Sequence, residues 1–243
     1  MVDGSCGACR GEQRSCRQRG RPGDRAESNG LRSLRLSDGR DGLIALPTEH
    51  HAGVPAALVV MMHGAGGKAR DAVAMLRGPA DEAGIIVMAP ESRGRTWDFS
   101  TGGANPDVDF LIKGLEVTLR RHPVDPSRLA VAGFSDGASF ALALGLAHGD
   151  LFTHVMAFAP GFPAPERSKG RPRLFVAHGT RDDVLPIHLC GRPIVSEVRR
   201  AGYDVAYREF DGPHALPAEI AGEAIAWFGG RADPDLAEGV APA

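Results

Sequence analysis

The chain is 243 residues long, carries a net charge of −2, and is 43% hydrophobic and 24% charged. That composition suits a soluble globular protein with a sizeable core, and its near-neutral balance speaks against a nucleic-acid coat or a polybasic membrane tether. The longest apolar run, Val54 to Met62, contains Pro55 and falls far short of the ~20 residues a spanning helix needs, so membrane insertion is not expected.

Residues 1–30 are rich in Gly, Arg, Ser and Cys and nearly lack large apolar side chains, which predicts a disordered tail. Three of the four cysteines, Cys6, Cys9 and Cys16, crowd this segment. Cys6 and Cys9 have zinc-site spacing, but a fourth ligand at a plausible spacing is missing, and His50 and His51, the nearest imidazoles, lie well downstream. Arg10, Arg14, Arg17, Arg19 and Arg21 interrupt any apolar core of a secretory signal, so a cytoplasmic location is the expectation.

From Leu31 the texture changes. Leu31, Leu34 and Leu36, then Leu43, Ile44 and Leu46, predict two short strands joined by the turn Ser37 to Gly42. Ala57 to Met62 is continuously apolar, as a central parallel strand covered on both faces should be. A helix over 70–83 follows and closes at Gly84, and Ile85 to Ala89 is the next strand. Val108, Leu111, Ile112, Leu115 and Leu119 recur at helical spacing until Pro123. Leu129 to Phe134, Val155 to Phe158 and Leu174 to Ala177 are three more strands, with a small-residue helix after the first. A helix near 190–201, a strand over Tyr203 to Phe210 and a helix around Ile220, Ala224, Trp227 and Phe228 complete the chain. The order β-β-β-α-β-α-β-α-β-β-α-β-α predicts one α/β domain over 31–230: a mostly parallel, twisted sheet of about eight strands with helices on both faces, followed by a short tail over 231–243.

Such a sheet presents its functional loops at the carboxyl ends of the strands. Gly133-Phe134-Ser135-Asp136-Gly137 follows directly on the strand Leu129 to Phe134 and precedes a helix. Glycines around a serine at such a turn permit the tight backbone that exposes a hydroxyl at a helix N-terminus. In a chain with 32 glycines the bare pattern is weak, and its placement between strand and helix is what points to a nucleophile.

A serine hydroxyl needs a base oriented by a carboxylate. Of nine histidines, His50 and His51 sit in an early loop, His122 and His148 end helices, and His154 lies beside a strand start. His63 and His178 each end a strand before a glycine, which favours packing. His188 is the serious rival to His214, which lies in the rigid turn Asp211-Gly212-Pro213-His214 after the last strand. In a Ser…acid…His order the base comes last, and His214 is the last histidine. The loop after Leu174 to Ala177 offers Asp182 and Asp183 as the acid; only one of two successive side chains can reach the ring, and Asp182 is the first choice.

Acyl transfer also needs N–H donors aimed at the developing oxyanion. The amide of Asp136 is one candidate, and the loop His63-Gly64-Ala65-Gly66-Gly67 supplies another in Ala65, with Gly66 next. As a phosphate loop the same stretch lacks both G-x-G-x-x-G and Walker spacing, and Lys68 does not rescue it.

At these residues the chain resembles the serine-dependent α/β-hydrolase superfamily, most closely its phospholipase/carboxylesterase branch. The resemblance spans about 31–230 and rests on HGAGG (63–67), APESRGRTWD (89–98), DPSRLAVAGFSDGAS (125–139), AHGTRDDVLP (177–186) and FDGPH (210–214), all in the family's order. It implies an α/β-hydrolase fold with Ser135 as nucleophile, Asp182 as acid and His214 as base, acting without cofactor or metal on a small-molecule ester. Dienelactone hydrolases share the fold but carry Cys at the nucleophile, where this chain has Ser. The short segment from Pro160 to Pro172 argues against a large lid and for short or soluble esters. Lysophospholipase or acyl-thioesterase activity on the same fold, and a non-catalytic binding protein, stand as alternatives. Gly66, Trp97 and Phe134 are candidate substrate contacts, Trp97 either as an apolar wall or as a packed loop residue. Arg93 and Arg95 would favour an anionic ester unless Asp98 and Asp107 neutralise them. The oligomeric state is left open.

Overall fold

The computed structural model describes residues 30–51, 53–99, 105–161 and 168–230. The tails expected over 1–30 and 231–243 thus lie outside the described residues, Gly30 excepted. The elements are β1 (Leu31–Ser33), β2 (Gly42–Ala45), β3 (Ala56–Met62), α1 (Ala69–Glu82), β4 (Ile86–Pro90), α2 (Pro106–Arg121), β5 (Val124–Phe134), α3 (Asp136–Ala147), β6 (His154–Phe158), β7 (Arg173–Gly179), α4 (Gly191–Arg200), β8 (Val205–Phe210) and α5 (Ala218–Phe228). Their order is the one predicted. They build one eight-stranded sheet, β1-β2-β4-β3-β5-β6-β7-β8, in which β1, β2 and β4 pair antiparallel and the rest are parallel.

Strand alternation sorts the core into two layers. Leu58, Val60 and Met62 of β3 pack with Leu111 and Leu115 of α2, Phe140 of α3 and Ile194 of α4 on one face. Ala57, Val59 and Met61 pack with Val73 and Leu76 of α1 and Ile220 and Trp227 of α5 on the other. Because β3 and β5 bear apolar side chains on both faces, no residue of β3 after Ala56 has more than 1% of its surface exposed. No helix among the described residues is long and apolar enough to cross a membrane.

Several element limits differ from expectation: β1 ends at Ser33 short of Leu36, β7 runs on to Gly179, and two strands start elsewhere. β5 begins at Val124 rather than Leu129, because Ala56 pairs with Val124 before a register shift brings Leu58 opposite Leu129. β8 begins at Val205, because Gly202, with φ +83°, turns the chain and the Tyr203 N–H donates to Val198 O at the end of α4. After β3 the chain crosses to β4 on one side, and it returns to β5 on the other. The loops leaving β3 and β5 therefore sit side by side at a topological switch point, where sheets of this kind carry their clefts.

Candidate active site

Ser135 stands between β5 and α3 with φ 56° and ψ −120°, a strained conformation for a side chain with a Cβ. Its N–H donates to Phe158 O (2.8 Å), and its carbonyl accepts from the Ala138 and Ser139 N–H groups (3.0 and 3.1 Å). The flanking glycines make the turn sterically feasible. A β-carbon at Gly133 would collide with the Gly137 carbonyl, and one at Gly137 would lie 2.6 Å from Met62 O. The elbow thus packs directly on the end of β3.

The hydroxyl of Ser135 lies 2.8 Å from His214 Nε2, and His214 Nδ1 lies 2.6 Å from Asp182 Oδ2. A carboxylate only accepts, so Nδ1 carries the ring proton and Nε2 is free to accept from the serine hydroxyl. The Asp182 side chain is fully buried. Its Oδ1 accepts from the Leu185 N–H (2.7 Å) and the Val184 N–H (3.0 Å). Burial alone would raise its pKa, but the Leu185 N–H, the His214 ring and the Val184 N–H outweigh that, leaving the carboxyl below its ordinary value. Asp183 points into solvent, as does His188; neither takes part in this chain of bonds. The geometry therefore brings together Ser135, Asp182 and His214 and leaves both rivals aside.

The loop after β3 is held against the elbow. His63 is fully buried, its Nδ1 2.8 Å from Gly64 O, while its Nε2 accepts from the Ser92 N–H (3.1 Å). Burial holds its pKa below the ordinary value. A β-carbon at Gly64 would stand 3.4 Å from the Ser135 β-carbon, so this loop closely borders the hydroxyl. The amide N–H groups of Ala65 and Asp136 have no hydrogen-bond partner among the described residues. Asp136 opens α3, so its N–H lies at the positive end of that helix. The expectation that Gly66 could be the next donor is corrected: its N–H is spent on Arg95 O at 2.7 Å.

Trp97 also requires correction. Only 2% exposed, it donates from Nε1 to His63 O (2.8 Å) and stacks on Phe140 with ring centroids 5.1 Å apart. It is a strut beneath the β3 loop rather than a wall of the cleft. Its own N–H donates to Asp136 Oδ2 (2.9 Å), and burial raises the pKa of that carboxyl. Phe134 is half-buried with its ring centroid 4.9 Å from that of His214, a contact that steadies the imidazole.

The two arginines differ. Arg93 lies over the Phe110 ring (3.7 Å) and donates to Glu91 O, while its N–H bonds Asp107 Oδ1. Asp107 Oδ2 meanwhile accepts from the Asp98 N–H (2.8 Å). Arg95 is exposed, with Nε 3.7 Å from the place a Gly66 β-carbon would occupy. Among the described residues no group of three or more His, Cys, Asp or Glu could hold a metal ion.

One contact was missed by sequence reasoning. His178, read there as a packing residue, is buried with Nε2 3.1 Å from Asp182 Oδ2. Its signal was the spacing His178-Gly179-Thr180-Arg181-Asp182, which a turn closes so that the two side chains meet.

Known proteins similar to this chain are esterases and serine hydrolases. Over 156 residues the chain is 31% identical to "Putative esterase NocK" of Nocardia uniformis subsp. tsuyamanensis, a match that covers 60% of this chain and 44% of that protein. The match thus spans less than half the length of this relative. Among solved structures, esterase PE8 superposes with a TM-score of 0.63 at 22% identity, covering 76% of this chain and 95% of that one. FphF of Staphylococcus aureus, a fluorophosphonate-binding serine hydrolase, superposes with a TM-score of 0.69 at 13% identity, covering 82% of this chain and 98% of that one. These two likenesses show the α/β-hydrolase fold. The family model described as "Putative esterase" matches residues 33–184, well over half of the sequence, and the chain belongs to that esterase family.

Proposed function

We propose that this protein is a serine-dependent carboxylic ester hydrolase that works through an acyl-enzyme on short or soluble esters. The observation that carries this reading is the unbroken series of bonds from Ser135 Oγ through His214 to Asp182. Ser135 Oγ attacks the ester carbonyl carbon as its proton passes to His214 Nε2, and Asp182 stabilises the imidazolium so formed. The Ala65 and Asp136 N–H groups, unpaired among the described residues, bind the oxyanion of the tetrahedral intermediate. The carbonyl–oxygen bond to the alcohol then breaks, and the leaving oxygen takes the proton from Nε2. Water repeats the sequence, giving its proton to Nε2, and the carboxylic acid departs as Ser135 regains its hydrogen.

The test is labelling by a fluorophosphonate probe together with hydrolysis of p-nitrophenyl esters of graded acyl length. The wild type should label and turn over the shorter esters. S135A should abolish labelling and lower kcat by about 10⁵–10⁶. Labelling or turnover that survives S135A refutes the assignment.

A further inference from the structure

Asp182 is held by more than its partner in the proton relay. Its carboxylate has about four lone-pair directions, and the structure sets four nitrogens around it. Leu185 and Val184 N–H groups occupy Oδ1, while His214 and His178 converge on Oδ2. Both the His178 and Asp182 side chains are fully buried, so solvent has no route to replace a lost donor.

The protonation of the His178 ring follows from its neighbours. Nε2 lies 2.7 Å from Leu185 O, an atom that only accepts, so Nε2 carries the hydrogen and shares it with Asp182 Oδ2 at 3.1 Å. Leu185 is thereby gripped at both ends of its backbone: its N–H binds Asp182 Oδ1 and its carbonyl binds the His178 ring. Nδ1 is left buried with no partner among the described residues, against Gly191, where a β-carbon would lie 2.5 Å away. An apolar side chain of similar volume would fill this space and leave no orphaned nitrogen. Burial also lowers the pKa of the ring, which keeps it neutral and acting as a donor of one hydrogen rather than as a second cation beside His214.

We propose that His178 is a positioning residue, whose Nε2–H locks the Leu185 turn and the Asp182 carboxylate in the orientation that His214 requires. It touches neither Ser135 nor the reacting ester, and it acts only through Asp182. The inference rests on Asp182 being the acid of the relay, and the experiment separates the two claims.

H178L removes the donor and keeps the volume, whereas H178Q keeps an N–H near the Nε2 position. Each variant is titrated to completion with a fluorophosphonate probe, so that kcat is expressed per competent active site, and thermal melting is recorded alongside. H178L should lower kcat by about 10- to 100-fold with KM within twofold, because a displaced orienting group costs rate rather than ground-state binding. H178Q should recover kcat to within about fivefold of wild type. If H178L does not fold, G191A replaces it, since the added methyl displaces the ring while retaining it, and the same loss of kcat is expected. A wild-type kcat per site in H178L or G191A, or an H178Q as impaired as H178L, overturns the proposal. Full activity in D182N would instead remove the assignment of the acid itself.

Discussion

Replacing Asp182 by asparagine is a demanding test of the relay because the structure dictates how the new amide must sit. Oδ1 accepts from two backbone N–H groups at 2.7 and 3.0 Å. These cannot move their protons as the His214 ring can and, unlike the His178 N–H beside Oδ2, have no second acceptor among the described residues, so the amide oxygen has to stay there. Turning the amide over would face its NH₂ against both donors and leave them unpaired, at a cost of about 1–3 kcal/mol each. The NH₂ is therefore forced into the Oδ2 position, 2.6 Å from His214 Nδ1. Only an unprotonated Nδ1 can accept from it, which moves the ring proton to Nε2. There it points at Ser135, and the base can no longer accept the hydroxyl proton. The same substitution in a serine protease relay lowers kcat by about 10⁴, or ~5.4 kcal/mol of transition-state stabilisation. D182N should show a deficit of that size in steady-state hydrolysis of p-nitrophenyl acetate at about pH 8, while D183N, altered at an exposed side chain, should remain within about twofold of wild type. A D182N loss below about tenfold, or a D183N loss of equal size, would refute the reasoning.

H188A should leave kcat/KM within about twofold, since this ring is exposed and outside the relay; a loss matching that of H214A would show that the wrong histidine was chosen. W97F removes the indole N–H bonded to His63 O and strands that carbonyl, which should destabilise the fold by about 1–3 kcal/mol, or ~2–4 °C in Tm for each kcal/mol. KM for neutral esters should not move, and a large rise in KM with unchanged Tm would return Trp97 to the substrate. His154 packs edge-on against Trp227 and Phe228, and burial lowers its pKa from 6.5 to about 4. The folded state thus prefers the neutral ring, so its stabilising contribution is complete above pH 6.5 and is lost as pH falls toward 4. Thermal melts across that range should show wild type losing Tm faster than H154F; parallel curves would mean that the ring does not titrate as described.

Much of this site was legible in the sequence because the elements are local and the chemistry sits at their ends. Continuous apolar runs in β3, β5 and β7 announce strands buried on both faces, and the glycines around Ser135 announce a turn that only they can make. Burial within a loop was not legible. Trp97 follows an exposed arginine and threonine, and nothing in that run says that Asp136 captures its N–H and draws the indole under the β3 loop. Gly66 looked like a donor until Arg95 O was found to occupy its N–H. The choice between Asp182 and Asp183 depends on how Val184 and Leu185 fold back over one carboxylate, a matter of three-dimensional closure rather than of residue type. His178 was undervalued for the same reason. A histidine ending a strand has the appearance of core until the chain four residues on doubles back to meet it.

The bonds that join Ser135 to His214 and His214 to Asp182 link residues 79 and 32 positions apart. Each partner hangs from a different strand, and β5 and β8 are separated by β6 and β7. No fragment of the sheet smaller than β5 to β8 carries all three, so no excursion that peels away β8 leaves a working remnant behind. Turnover in such a molecule is a gauge of global folding: under rising denaturant it should vanish no later than the far-ultraviolet signal. During refolding, slowed by the distant pairings of a parallel sheet, it should be among the last properties to return.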